Sequence, residues 1–577
     1  MSTSTLEDLS NELLLIIFDY LPINIQIYSF YNLNNRLNSI LNDRDTQINL
    51  DLSNRSKIEF DFCCSTVLPI ISTYRIQSLT LSNKKTYGAI ELFLSLFHIE
   101  QFTNLNSIRL IFPTPTQLDL ILNTLISLKK LTHLFLKINP LYNYTNVQHK
   151  IRSILFSNQL LTLEYITLLM SANVFGLTNL NTSNPYLKYL TIERISFDQF
   201  LSLIQHLPNI KYLNAKLSRS GWPKTIELIS VKLTHLILII GTLNFELMQS
   251  LLKHCNQLIY LSLTFNGSGQ LLDGQQFEKL FLFLPLLKIF YCDLIYHHIQ
   301  MTSIDLNIFT SSFHIHYWLS HQWFIQCDYD INNSILHYYT VPFHRKIFTT
   351  SLHIEKLIND KSQSYRTITH LKLCINEQSS LTTIRKYSNV SSLEVYNYFV
   401  HNNDISQLLS MTSYLNQTIS YLNLKHLQIY DISVLSNTFL PLLKQSPNLN
   451  SLELHYQHLI QVTNEFKNID LCALLTSQIR HLVLYNESLS THIDECLQTF
   501  SYLESFIVPF ETNMNLHDIF PLLLDTMTKL QSLLIELKEE PLSNESKTYV
   551  KKLLEKEAKN ICYEQIESYS IGIWFSN

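Results

Sequence analysis

A six-residue block of the order apolar-x-x-apolar-x-apolar punctuates most of the chain. It starts as Ile76-x-x-Leu79-x-Leu81, Leu105-x-x-Ile108-x-Leu110 and Leu131-x-x-Leu134-x-Leu136, and runs on to Leu287-x-x-Phe290-x-Cys292. It resumes at Ile368-x-x-Leu371-x-Leu373 and ends at Leu530-x-x-Leu533-x-Ile535. Measured at the fourth position, 8 intervals from Leu79 to Phe290 span 211 residues, or 26.4 each. From Leu371 to Leu533, 6 intervals span 162 residues, or 27.0 each. The 81 residues between Phe290 and Leu371 equal three further periods of 27, so the phase survives the interruption. Within each block the fourth and sixth positions alternate with polar ones, as on a half-buried strand. Between blocks the spacing turns helical. Phe197–His206 carries Leu201 and Ile204 on one expected face, and a further helix is expected from Leu247 to Lys253. Helices close on Pro at Leu207-Pro208-Asn209 and Ser446-Pro447-Asn448.

A strand, a turn, a helix and a return in about 27 residues fall in the leucine-rich-repeat range of about 20–29. Stacking such coils predicts an α/β horseshoe, a solenoid with a concave parallel sheet and convex helices. The Asn/Cys ladder usual in such repeats is not evident, which suggests an irregular, helix-rich subtype. Residues 294–367 lack the block and are aromatic, so strands of poor consensus or an insertion are expected there. Residues 540–577 read as a C-terminal cap, a helix from Ser543 to Asn560 and a strand from Tyr569 to Phe575.

The first 41 residues follow another rule. Leu9, Leu13, Ile16, Ile17, Tyr20 and Leu21 trace one face of a helix, with Ser10 as N-cap and Glu12 in the first turn. A second short helix is expected over Ile25–Phe30 and a third after Asn32. Three helices this short cannot bury a core alone, so they must dock on something. Leu9-Ser10-Asn11-Glu12-Leu13, then Ile17-Phe18-Asp19-Tyr20-Leu21, then Asn35-Arg36-Leu37 resemble the F-box, whose signature elements occur in that order. The departure is Ser10, where that family has Pro. The resemblance covers about residues 6–45 and implies an F-box module at 1–48, a solenoid at 49–577, and docking of Leu9, Ser10, Glu12, Leu13, Ile16, Ile17, Tyr20 and Leu21 on a Skp-type adaptor carried by a cullin scaffold. The plainer alternative is a helical cap on the first repeat.

Composition narrows the chemistry. Of 577 residues, 46 % are hydrophobic and 15 % charged, the net charge is −5, and no basic run stands out, so nucleic acid is not an expected partner. The longest membrane-like apolar run, Leu280–Leu287, is broken by Pro285, so no membrane span is expected. Nine scattered Cys without a C-x-x-C pair suit reduced thiols in the cytoplasm or nucleus. Only 8 Gly occur, and no phosphate-binding, hydrolase or metalloprotease motif is present, so neither an enzyme nor a cofactor is expected. Gly267, Ser268, Gly269 and Gly274 read as a flexible loop. His314, His316 and His321 lack a nearby Cys or acid for a metal site.

The third position of five consecutive blocks is Tyr165, Tyr189, Tyr212, His235 and Tyr260. Strand alternation turns this column away from the core, where it either stacks to stabilise the sheet or anchors a partner. The resemblance implies the substrate-recognition subunit of a Skp–cullin–F-box ubiquitin ligase with an unidentified protein substrate. The other reading is a leucine-rich-repeat scaffold or inhibitor with no link to a ligase.

Overall fold

The computed structural model describes residues 8–575 except 22, 42–46, 54, 56, 85–87, 140–143, 157–158, 170–182, 219–231, 242–243, 332–333, 352–355, 358–364, 376–384, 398–414, 431–435, 486–491, 511–515, 528, 538–542, 557–560 and 567–569. The chain forms two compact units, Met1–Leu238 with His254–Leu258, and Ile239–Lys253 with Ile259–Asn577. This division falls within the repeats. The N-terminal helices fall within the first unit.

The first unit opens with α1 (Asn11–Asp19), α2 (Ile23–Phe30) and α3 (Asn35–Leu41). Eight strands follow: β1 (Ile48–Asp51), β2 (Ile76–Ser82), β3 (Ser107–Ile111), β4 (His133–Lys137), β5 (Tyr165–Leu169), β6 (Tyr189–Ile195), β7 (Tyr212–Leu217) and β8 (His235–Ile240). Neighbours in sequence are neighbours in the sheet, and the pairs from β1 to β7 are parallel. Register follows the block: Ile108 faces Leu134, Leu134 faces Ile166, and Ile166 faces Leu190. The first, fourth and sixth block positions are buried, as in Leu105, Ile108 and Leu110.

One backbone device sets that register. The carbonyl of the second block residue accepts two N–H groups from the next coil. Thr132 N and His133 N both donate to Asn106 O at 2.9 Å, and Glu164 N (3.0 Å) and Tyr165 N (2.9 Å) donate to Thr132 O. A side-chain ladder runs beside it. Asn104 Nδ2 donates to Tyr74 O (2.7 Å) and Asn209 Nδ2 to Pro185 O (2.9 Å), each Asn immediately preceding a block. In the second unit Asn389 reaches Arg366 O (2.7 Å), Asn423 reaches Ser388 O (2.9 Å) and Asn448 reaches Leu422 O (2.7 Å). These asparagines form a ladder just before the strand, a place other than the usual ladder position looked for in the sequence.

The intervening helices carry their own start signals. Capping boxes form at Thr114/Gln117, Ser196/Gln199 and Asp273/Gln276. On Phe197–His206 the buried residues are Phe197, Phe200, Leu203 and Ile204, so the apolar face is rotated from the expected one and Leu201 is half-buried. The expected Leu247–Lys253 helix is Phe245–Leu252.

The second unit holds two sheets. Its first contains β9 (Tyr260–Gly267), β10 (Ile289–Tyr296), β11 (Phe324–Asp330), β12 (Ile335–Val341) and β14 (Lys356–Leu357). β10 is parallel to β9, but β12, β11 and β14 then pair antiparallel. Parallel coiling restarts at β13 (Ile347–Ser351) and continues through β15 (His370–Ile375), β16 (Ser392–Asn397), β17 (His426–Ile429), β18 (Ser451–His455), β19 (His481–Tyr485), β20 (Ser505–Phe510) and β21 (Ser532–Leu537). The aromatic interruption is thus a reversal of strand direction. Its His316 opens a helix, His316–Ser320, so the three histidines do not share a strand face. Trp318 is fully buried in that helix, and Gly274 packs against the same region: a Cβ there would lie 2.2 Å from Ser312 O. Gly274 is a close-approach point, not loop slack. The C-terminus forms a helix, Asn544–Lys556, and the antiparallel strands β22 (Ile561–Ile566) and β23 (Ser570–Phe575), with β23 on β21.

The strand core should outweigh the ladder. Leu452→Ala is expected to cost about 2–5 kcal/mol, and Asn448→Ala about 0.5–1.5 kcal/mol. Urea unfolding of the two variants checks the ranking; equal losses would refute it.

Candidate protein-binding surfaces

Ser10 caps α1, its side chain accepting from Leu13 N at 3.4 Å. A separate hydrogen bond from the Ser10 side chain holds the Glu12 carboxyl below its usual range. The helix buries Leu14 and Phe18 against Leu37, Ile40 and Leu41, while Leu9, Ile17 and Leu21 are half-buried beside them. The stripe read from the sequence is therefore split. Leu13, Ile16 and Tyr20 are 48 %, 52 % and 84 % exposed, an apolar line along the outer face. α1 is nearly apolar all round, and its inward line, Leu14 and Phe18, was missed because the outward residues have the same period.

Three polar contacts hold these helices. Arg36 donates from Nη2 to Leu9 O (2.5 Å) and from Nε to Asn11 Oδ1 (2.8 Å), tying α3 to the start of α1. Gln26 Nε2 donates to Phe18 O and Leu21 O, both at 2.8 Å, closing the end of α1. Buried Arg75 donates to Leu41 O (2.9 Å), seating α3 on the first repeat. A cavity of about 310 Å³ remains between them, lined by Phe18, Leu21, Gln26, Ile48 and Arg75.

The aromatic column forms on the sheet of the first unit. Tyr165 stacks on Tyr189 at 4.2 Å and 5°. His133, which the sequence reading did not include although it holds the third block position, stacks on Tyr165 at 4.0 Å and 6°. Beyond Tyr189 the column loosens: Tyr189–Tyr212 is 6.2 Å at 36°, and Tyr212–His235 is 6.3 Å at 35°. Tyr260 lies in the second unit, where it meets Tyr291 edge-on at 5.7 Å and Tyr291 stacks on His344 at 4.1 Å. Burial pushes the His344 imidazole down to about 4, so it is neutral at neutral pH.

Two polar groups in the second unit escaped the sequence. On strands β15–β19, Glu394 receives Lys372 (2.5 Å) and His370 (3.2 Å), and Glu453 receives Gln428 Nε2 (2.8 Å) and the Tyr485 hydroxyl. At the strand reversal, Gln326, Asp328 and Asp330 occupy alternate positions of β11, all buried. Arg385, 3 % exposed, holds Asp328 with two bonds of 2.7 and 2.5 Å. Tyr339 donates to Asp328 (3.1 Å) and shares a 2.9 Å hydrogen bond with Tyr365. A cavity of about 50 Å³ opens beside Asp328, Asp330, His337, Thr350 and Cys374. The available sign was an acidic period of two in a stretch without the block. Asp293 accepts from His337 (2.8 Å) and Arg345. Burial favours its neutral form, but the His337 and Arg345 contacts outweigh that and hold the carboxyl below its usual range. A depressed carboxyl stabilises the fold fully above about pH 3.9 and loses that effect as pH falls through its lower folded value.

Among the described residues no His, Cys, Asp and Glu cluster could hold a metal, and no helix is long and apolar enough to cross a membrane. His314 and His321 bond Thr310 O and Tyr317 O through Nδ1, each at 2.8 Å. Burial raises the Cys63 thiol to about 11 and the Cys255 thiol to about 12, away from reactivity at neutral pH.

Arg385→Met should lower the unfolding free energy of the second unit by about 3–5 kcal/mol, since it strands a buried carboxylate. Adding Asp328→Asn should recover part of the loss. A single-variant cost below about 1 kcal/mol in urea, the value of a surface pair, would contradict the burial argument.

No protein-family profile matches the chain, and no characterised protein matches it by sequence, so the F-box resemblance stands on its residues. Among solved structures it is similar to a complex of TLR13 with ssRNA13 (13 % identity, TM-score 0.23, 81 % of this chain and 67 % of that one). It is also similar to a leucine-rich-repeat protein of Leptospira interrogans (14 %, 0.18, 79 % and 90 %). A third is the leucine-rich-repeat ectodomain of the plant receptor kinase GASSHO1/SCHENGEN3 from Arabidopsis thaliana, in complex with CASPARIAN STRIP INTEGRITY FACTOR 2 (10 %, 0.17, 82 % and 60 %). The chain spans less than two thirds of that last ectodomain. These scores carry no superposable detail, and the leucine-rich-repeat fold rests on the chain's own period, parallel register and asparagine ladder.

Proposed function

We propose that this chain is the substrate-recognition subunit of a Skp–cullin–F-box ubiquitin ligase. The N-terminal helices dock on the Skp-type adaptor and the repeat sheet holds the target protein. One observation carries the reading: Leu13, Ile16 and Tyr20 form an open apolar line on a helix whose other side is anchored. A helix that served only to cover the first repeat gains nothing from a second apolar face, and an open one invites a partner. Arg36 of the F-box-like Asn35-Arg36-Leu37 ties α3 to α1, which fixes that line in position. No bond is made or broken on this chain. It brings target lysines close to a recruited conjugating enzyme, raising their effective concentration. The buried thiols suit a reducing cytoplasm or nucleus.

The scaffold reading draws on one contact, Arg75 to Leu41 O, which seats the helices as a cap on the first repeat. The two readings differ in what the outer line does. Full-length protein should capture a Skp-type adaptor with its cullin, and Leu13→Asp with Tyr20→Asp should abolish capture without moving the melting temperature, because both side chains are substantially exposed. Wild-type protein that folds and captures no adaptor would sink the ligase reading in favour of the scaffold.

A further inference from the structure

Later coils of the first unit hang on the coil before them: the third-position N–H donates to a carbonyl of the preceding coil, as His133 N does to Asn106 O at 2.9 Å. β1 follows no earlier coil. It is the end strand of its sheet and pairs with β2 alone. Leu52, just past β1, donates from N to Thr80 O of β2 at 3.0 Å. Strand alternation therefore turns the backbone groups of Asn49 and Asp51 the other way, toward the free edge. Arg55 Nε takes the Asp51 carbonyl at 3.2 Å. The Asn49 N–H, the Asn49 carbonyl and the Asp51 N–H have no hydrogen-bond partner among the described residues, and both residues are exposed.

The cavity of about 310 Å³ lies beside that edge, with Gln47, Ile48 and Asn49 in its wall and the buried Phe18, Ile40 and Leu41 in its apolar lining. Its volume reaches the lower end of the range for ligand pockets, about 300–1,000 Å³. Gln47 and Asn49 are both exposed, and their side-chain amides have no partner among the described residues. An amide presents a donor and an acceptor together, the same pair as a peptide bond.

These features select one kind of occupant. Edge N–H groups two residues apart, about 6.6 Å along the strand, match an extended backbone that joins the sheet as one more strand. Side chains of such a strand alternate as those of β1 do. Every second one falls on the side of buried Ile48, where the cavity has room for it. We infer that the free edge of β1 docks an extended segment of the target protein, which adds to the sheet as a strand and sets one large apolar side chain, Leu or Phe, in the cavity beside Ile48. The inference rests on the reading of the sheet as the surface that holds the target, and adds the way the target is held. Tyr20, at the end of the open line of α1, also lines the cavity, so the target segment lies next to the adaptor. A second copy of this chain pairing through its own β1 cannot supply the apolar side chain, because Ile48 and Leu50 are already buried.

Fluorescent seven-residue peptides of alternating Thr and Val, with Phe, Leu or Ser at the centre, test this on full-length protein by anisotropy and by hydrogen exchange resolved to single amides. The Phe and Leu peptides should bind and slow exchange at Asn49 and Asp51. The Ser peptide should bind about tenfold more weakly or worse, as for loss of an interface anchor. Methylating one set of alternate peptide amides should abolish binding, and methylating the other set should not, because only one edge of the added strand meets β1. Asn49→Pro removes an outward N–H that the fold does not use, so it should abolish peptide binding at an unchanged melting temperature. Gln47→Trp, at the exposed wall of the cavity, should weaken binding about tenfold. Protection of Asn49 and Asp51 by none of the peptides, equal binding of the Ser peptide, or full binding by Asn49→Pro would overturn the inference. Protection of those amides that rises with protein concentration in the absence of peptide would overturn it in favour of a second copy. Adaptor capture by the same preparations separates the two claims: capture without peptide binding refutes only the inference, and peptide binding without capture refutes only the ligase assignment.

Discussion

A single carbonyl in each coil determines where the next coil lies. The second block residue accepts two N–H groups from the coil that follows, in the first unit at Asn106, Thr132, Glu164, Lys188 and Lys211, and in the second at Thr369, Ser391, Lys425, Asn450, Arg480 and Glu504. Once that pair is made, strand alternation leaves no choice. The fourth and sixth residues enter the core, and the third and fifth face outward. The apolar block, the ring column and the polar clusters on β15–β19 are consequences of this one registration, repeated.

The registration also explains why the reversal at β11 and β12 demands so much compensation. An antiparallel pair cannot present the same doubly bonded carbonyl to the next coil. Both faces of β11 are buried: Ile325, Cys327 and Tyr329 lie on the face of Cys292 and Leu294, and Gln326, Asp328 and Asp330 lie on the other. Arg385 and Tyr339 donate to Asp328, Tyr365 bonds Tyr339 and Gln326, and Arg345 and His337 donate to Asp293. Ion pairs buried this deeply contribute little net stability, yet losing one partner is severe. They act here as a specific joint between two sheets of the second unit, where apolar packing would tolerate several arrangements.

The repeats were legible because their signal is periodic and redundant. Blocks spaced by 26.4 and 27.0 residues placed the strand starts, and the helix ends at Pro208 and Pro447 followed. The N-terminal helices were legible in number, but not in facing, because apolar residues surround α1 and a period of 3.6 does not say which of two stripes is buried. The asparagine ladder was visible as Asn104, Asn209, Asn389, Asn423 and Asn448 just before their blocks, and was missed by searching elsewhere in the repeat. It also gives part of the chain's richness in Asn a use. The Asp328–Arg385 pair was not legible, since its residues lie 57 apart in no repeated relation.

The antiparallel β23 has a bearing on how this chain behaves in a crowd of its own copies. A parallel stack of coils is open-ended: its last strand displays the same groups that accepted its predecessor, and another coil of similar sequence could continue it. β23 lies against β21 in the opposite direction, so the groups it passes on belong to a different ladder. Ile571 and Ile573 fill the core at that end. β23 thus covers the free side of β21, and β22, antiparallel to β23, takes the outer place in this sheet.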